Sequence, residues 1–148
     1  MKMLIQRVNN ASVTVDEQKI SEIGKGLLVL VGIESEDNEA VVDRLTRKLV
    51  GLRIFADGEG KTNLSLSDVG GELLMVSQFT LCADCKKGFR PSFTGAAAPD
   101  KALHLFDRAV DFCRKSNVRV FTGEFGADMK VSLLNDGPFT VILDSRDI

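Results

Sequence analysis

Residues 72–81 read ELLMVSQFTL. Side chains alternate across a strand, so Leu73, Met75, Ser77, Phe79 and Leu81 take one face and Leu74, Val76, Gln78 and Thr80 the other. Both faces are apolar in the first half, which places the strand between two layers instead of on solvent. Both turn polar in the second half, and polar groups at the end of a buried strand commonly line a pocket. The stretch predicts an interior strand through Leu81 and a pocket at its far end, built from Ser77, Gln78 and Thr80. The plainer alternative is that these three satisfy neighbouring backbone.

Working outward, LLVLVGI (27–33) is a second continuous apolar run. KMLIQRV (2–8) and ASVTVD (11–16) read as two further strands, and QKISEI (18–23) pairs with the second across a polar turn. Ser35 to Asn38 offers several N-caps for a helix through about Val50, with Val41, Leu45 and Leu49 on its apolar face and Arg44, Arg47 and Lys48 opposite. LRIF (52–55) resumes strand character before the turn ADGEGK. A polar loop over 82–98 leads to a helix opened by Pro99 and Asp100, with Leu103, Phe106, Val110 and Cys113 as its buried face and Asn117 at its end. VRVFT, MKVSLL and FTVIL close the chain as strands. In LLNDGPFTVIL (133–143) Asp136-Gly137 signals a hairpin, although Pro138 cannot donate to the ladder it would open. The pattern is an α/β chain: a strand-rich sheet sandwich with two main helices on one face, in one domain over residues 1–148.

Composition narrows the function classes. The 148 residues are 44% hydrophobic and 27% charged, ordinary for a globular domain large enough to fold without staples. No run approaches the roughly 18 apolar residues of a membrane span. MKMLIQRV lacks the apolar core of a signal peptide, so the cytoplasm is the expected location. A net charge of −2 supplies no global field for nucleic acid, so any polyanion contact must be local. KKGFRPSF (86–93) is the place for one, with Lys86, Lys87 and Arg90 around Phe89 to hold phosphate and stack a base.

Cys82 and Cys85 form a CxxC that follows a strand and runs into a loop, whereas a redox motif of that kind opens a helix. A zinc site there would need Cys113 and His104, nine residues apart on one helix, which is not a ligand spacing. His104 lies between two leucines with no nucleophile elbow near it in sequence. No metal and no cofactor are expected.

Three segments together resemble the D-aminoacyl-tRNA deacylase family: SQFTL (77–81), KGFRPSF (87–93) and FGADMKVSLLNDGPFT (125–140). MLIQRVNNASVTVD and EIGKGLLVLVGI extend the likeness over the N-terminal half. The resemblance implies a three-layer α/β/β fold and a homodimer with its active site at the interface. The implied activity is hydrolysis of the ester joining a D-amino acid to the acceptor end of tRNA, and of glycine mischarged on alanine tRNA. It implies that Gly137–Pro138 is a cis peptide projecting into the partner's site, where its carbonyls exclude an L side chain, with Arg7 bracing it. Gln78, Phe79 and Thr80 match the residues lining the aminoacyl pocket, with the Phe79 and Thr80 amides near the ester, and Ser77 begins that motif. Lys86, Lys87, Phe89 and Arg90 match a loop near the tRNA acceptor end.

SQFTL contains no His, Asp or Glu to serve as base, and nothing in the sequence activates Thr80 as a nucleophile. Substrate-assisted hydrolysis, with the ribose 2′-OH helping to activate water, is the expected chemistry. The rival classes are a non-catalytic nucleic-acid-binding module and a CxxC redox protein.

Overall fold

Strand pairing carries on past Asn9-Asn10, and the two N-terminal strands expected from sequence are a single strand, β1 (Lys2–Val15), in the computed structural model, which describes residues 1–148. Asp16 and Glu17 both adopt positive φ, 47° and 63°, the geometry of a tight hairpin turn whose twist matches its strands. The chain returns as β2 (Gln18–Ile23) and, after Gly24-Lys25, as β3 (Gly26–Gly32). Both lie antiparallel to β1, running from Val15↔Gln18 to Lys2↔Gly32.

The last strand corrects the hairpin expectation. MKVSLL and FTVIL belong to one strand, β8 (Lys130–Asp144), and both halves pair with β1. Between Gln6↔Thr140 and Val8↔Asn135, β1 advances two residues while β8 advances five, so the Asp-Gly-Pro segment is looped out of the ladder. A hairpin needs its two arms to pair with each other. Here the 14-residue β1 claims both.

β6 (Glu72–Ser77) joins β3 in parallel, and β7 (Arg119–Thr122) joins β6 in parallel. Parallel neighbours require crossovers, and each carries a helix: α1 (Glu39–Val50) between β3 and β6, α2 (Pro99–Lys115) between β6 and β7. A two-strand ribbon, β4 (Phe55–Ala56) and β5 (Thr62–Leu64), interrupts the first crossover, so LRIF is strand only at Phe55. Asn38 caps α1 by accepting from the Val41 amide at 3.1 Å. The helices bury slightly different faces than expected. Val42 and Thr46 join Leu45 and Leu49 on α1, and on α2 Leu105 is buried while Leu103 is exposed. Asn117, at φ 60°, follows the end of α2.

Two cores result. Met3, Ile5, Leu27, Val29, Leu73 and Met75 face the helices and meet Leu45, Leu49, Phe106 and Val110. Leu28, Leu74 and Val76 face the other way and meet Val8, Ala11, Val13 and Ile23. β1 thus contributes odd residues to the helix-side core and then Val8, Ala11 and Val13 to the second. The register shift between Val8 and Asn10 inserts one extra residue, Asn9, and changes which parity points inward. The far half of β1 with β2 and the start of β8 makes a second β layer over the sheet. Helices, sheet and β layer are the three layers of an α/β/β fold.

Candidate active site at the end of the central strand

β6 does not reach Leu81. The Gln78 amide donates to the Val31 carbonyl at 2.7 Å, and the chain then turns into a 3₁₀ turn over Phe79–Cys82. Pairing has run out there: β7 reaches only Thr122, opposite Met75. Gly32 lets the turn pack on the end of β3, since a Cβ at that position would stand 2.8 Å from Leu81 Cβ and 3.1 Å from the Gln78 carbonyl. The alternation expected for Phe79 and Leu81 therefore fails. Phe79 swings outward, 55% exposed, with its ring edge-on to Phe93 at 5.2 Å.

The strand end opens on a cavity of about 540 Å³. Ser77, Gln78 and Phe79 form one wall, Ala97, Pro99 and Ala102 at the start of α2 another, and Phe125, Met129 and Val131 a third. The lining is mainly apolar, and Asp128 is its only ionisable side chain. That carboxylate is exposed and accepts from Lys130 Nζ at 2.8 Å. Gln78 Nε2 donates to Thr80 Oγ1 at 2.5 Å, which ties the two side chains together at the rim. Thr80 does not line the cavity; its amide and that of Phe79 open the turn, where the first N–H groups of a helix have no partner within it.

The other candidates lie elsewhere. Lys86, Lys87, Phe89 and Arg90 are exposed on the loop that the Asp84–Ser92 bridge closes. Gly137 and Pro138 are exposed at the looped-out segment of β8, and their peptide is cis. Arg7 brackets this tip. Its guanidinium donates to the carbonyls of Asp136 (3.2 Å), Gly137 (3.3 Å) and Ile54 (2.6 Å), pairs with the Asp136 carboxylate at 2.8 Å, and stacks 4.4 Å from the Phe139 ring centroid. Asn135 closes the loop from within, donating to the Arg7 and Phe139 carbonyls. The tip is remote from the cavity of its own chain. Arg7 sits opposite Leu27 at the start of β3, whereas Ile33, beyond its end, lines the cavity. Six residues of strand put about 20 Å between them.

The CxxC cysteines diverge: Cys82 is buried with its thiol toward the Ile33 carbonyl, and Cys85 is exposed. Cys113 lies in the helix-side core, where burial pushes its thiol up to about 12. His104 is on the surface beside Glu39. Sequence reading gave no role to Phe125 and Met129, or to the alanines of α2's first turn. Apolar residues in a loop and a helix start carry no periodic signal of a shared wall.

A family model described as D-Tyr-tRNA(Tyr) deacylase matches residues 4–144. The D-aminoacyl-tRNA deacylase of Shewanella sp. (strain W3-18-1) is 56% identical over 140 residues, 95% of this chain and 97% of the relative. The chain belongs to the D-aminoacyl-tRNA deacylase family. The deacylase of Shewanella baltica (strain OS195) matches at the same identity and coverage. Among solved structures, the c-Myc DNA Unwinding Element Binding Protein superimposes with a TM-score of 0.91 at 40% identity, covering 97% of this chain and 98% of that one. A structure described as a "probable eukaryotic D-amino acid tRNA deacylase" gives a TM-score of 0.81 at 21% identity over 96% of this chain and 97% of that one, a likeness of fold. Membership places this deacylase-family chain among the hydrolases, and no helix in it is long and apolar enough to cross a membrane.

Proposed function

We propose that the protein hydrolyses the ester of D-aminoacyl-tRNA, and of glycyl-tRNA mischarged on alanine tRNA, as a cytoplasmic homodimer with the acceptor end seated at the interface. Family membership over residues 4–144 carries the activity. The cavity supports the chemistry: with one exposed, paired carboxylate in its lining, it offers no placed general base. Hydrolysis then draws on the ribose 2′-OH to activate water. The amides of Phe79 and Thr80 take the developing oxyanion, and Ser77 and Gln78 position the aminoacyl group. Lys86, Lys87, Phe89 and Arg90 receive the tRNA end.

Chirality is read by the partner's tip. The Gly137 and Pro138 carbonyls form a wall that an L side chain meets, a D side chain avoids and glycine cannot reach. Tip and cavity lie toward opposite ends of β3 in one chain, which favours delivery across a dimer, where each tip enters the other cavity. β8 supports that dimer. It is an edge strand with Leu134 55% and Ile142 67% exposed, a surface that sheet proteins rarely leave uncovered.

The test is to follow deacylation of D-, L- and glycyl-tRNA. Hydrolysis of the D and glycyl esters, sparing L, is expected, and a terminal 2′-deoxyadenosine should nearly abolish it. Equal turnover of L substrates would end the chiral assignment. Salt-sensitive RNA binding with no ester hydrolysis would favour the non-catalytic binding module.

A further inference from the structure

The basic side chains divide into two kinds. Lys2, Arg7, Lys19, Lys61, Arg108, Arg114, Arg119, Lys130 and Arg146 each have a carboxylate partner within 4.0 Å. Of the ten without one, eight form two groups at the two ends of the molecule, and Lys25 and Lys115 are the other two. Lys86, Lys87, Arg90 and Lys101 stand at the cavity end, on its loop and at the start of α2. Arg44, Arg47, Lys48 and Arg53 stand at the opposite end, around a shallow groove where α1 finishes against Gly51 and Ile148. All four are exposed. Two carboxylates feel this second group, and both are engaged elsewhere: Asp43 is held low first by Arg108, and Asp68 by the Ser65 amide.

This second patch is linked to the Gly137–Pro138 tip through Arg7. Arg53 directly precedes Ile54, whose carbonyl receives Arg7, the residue that grips the tip. The next residue, Phe55, is flanked by Arg7 at 6.0 Å and Lys25 at 5.9 Å, so one buried ring next in sequence to the patch holds both the bracket and a further lysine that has no carboxylate partner. Wherever the tip goes, the patch goes with it.

We propose that Arg47, Lys48 and Arg53, flanked by Arg44 and Lys25, contact the sugar–phosphate backbone of the aminoacyl-tRNA whose 3′ end occupies the other subunit's cavity. The inference rests on the proposed activity and dimer. Within one chain the patch lies at the far end of α1 and β3 from the cavity, out of register with a terminal adenosine bound there. Across the dimer, a tip inserted in the partner's cavity brings the patch to that cavity's mouth. The 86–90 loop of the subunit that owns the cavity forms one basic bank, and the α1 end of its partner forms the other. A chain of net charge −2 attracts RNA only through such local concentrations of cations without carboxylate partners. Arginine and lysine around an open groove suit successive phosphates and carry no base reading.

The experiment compares two substrates of the intact dimer: a full D-aminoacyl-tRNA and a D-aminoacyl ester of the terminal CCA trinucleotide. In the triple variant Arg47→Ala, Lys48→Ala, Arg53→Ala, kcat/KM on the tRNA should fall about tenfold or more near physiological salt, and the log–log salt slope of tRNA binding should shrink by about 2–3. Turnover of the trinucleotide ester should stay within about twofold of wild type. Mixed dimers locate the contact. When a subunit with its cavity closed by Ala102→Trp also carries the triple substitution, the open wild-type cavity beside it should lose the tRNA advantage. When the triple substitution sits in the subunit with the open cavity, that advantage should persist. Equal loss on both substrates, unchanged tRNA kinetics, or the reverse pattern in the mixed dimers would each overturn the proposal. A wild-type protein that hydrolyses neither ester would instead refute the activity on which it rests.

Discussion

Arg7 donates to three backbone carbonyls, pairs with the Asp136 carboxylate and faces two rings, Phe55 and Phe139. Charge-assisted hydrogen bonds of this kind are each worth roughly 1.5–3 kcal/mol. Arg7→Ala should free the tip without touching the cavity. The D/L ratio of kcat/KM should therefore drop by about tenfold or more, on the scale of one such bond, read from parallel assays on the two esters. An unchanged ratio with both rates reduced would assign chirality to another part of the site. Asp128 gives the opposite expectation. Because it is exposed and paired with Lys130, Asp128→Asn should keep kcat within about threefold of wild type, well short of the roughly 10²–10⁴-fold that a general base supplies. A larger loss with an altered pH–rate profile would make it the base.

At the scale of elements, the site depends on where β6 stops. The Phe79–Cys82 turn packs against Gly32 so closely that a methyl group there would meet Leu81 Cβ at 2.8 Å and the Gln78 carbonyl at 3.1 Å. Backbone cannot yield as a flexible side-chain tip does. Gly32→Ala should displace the turn, and with it the Phe79 and Thr80 amides, by a few tenths of an ångström or more. Misplacement approaching 1 Å costs on the order of 100-fold in rate, so kcat should fall by at least about tenfold with a smaller change in KM. Thermal melting run beside the kinetics separates this from plain destabilisation. A variant that melts normally and turns over normally would show that the turn's placement is not critical.

Over the whole molecule, β8 is both an exposed edge and the carrier of the tip. Leu134→Lys with Ile142→Lys places charge on that edge, where it opposes association. Sedimentation should show monomers, and deacylation should fall more than about tenfold while the circular dichroism spectrum is kept; an active monomer would end the composite-site reading. Acid should loosen the start of β1. The Met1 ammonium is buried against Glu34 (2.9 Å) and Asp37 (2.6 Å). Burial pushes the Glu34 carboxyl up, but the ammonium's hydrogen bond and charge, with Lys2 and Arg146, leave it below its ordinary 4.5. A carboxylate held low in the fold stabilises it above the unfolded value. That stability is lost as pH falls from about 4.5 through the folded value. Melting temperature should decline across that window, and Glu34→Gln should flatten the decline.

Much of this was legible in local pattern. Leu73 and Met75 face one core and Leu74 and Val76 the other, as period-two alternation dictates. The cap at Asn38 and the proline at the first position of α2 start the helices, because helix starts are settled by a few neighbouring residues. The motif segments around SQFTL and NDGPFT pointed to the family directly. The tertiary structure decided what depends on distant partners. Asp136-Gly137 carries a strong local signal for a hairpin, yet it loops out because a long β1 binds both arms. Phe79 has every local feature of a strand residue, yet it leaves the sheet because β7 ends and Gly32 admits a turn. The walls made by Ala102 and by Phe125 and Met129 exist only because the α2 crossover and the β7–β8 connection bring a helix start and a loop to the end of β6. Turn and strand propensities amount to about 1 kcal/mol per residue, and pairing with a remote strand outweighs them.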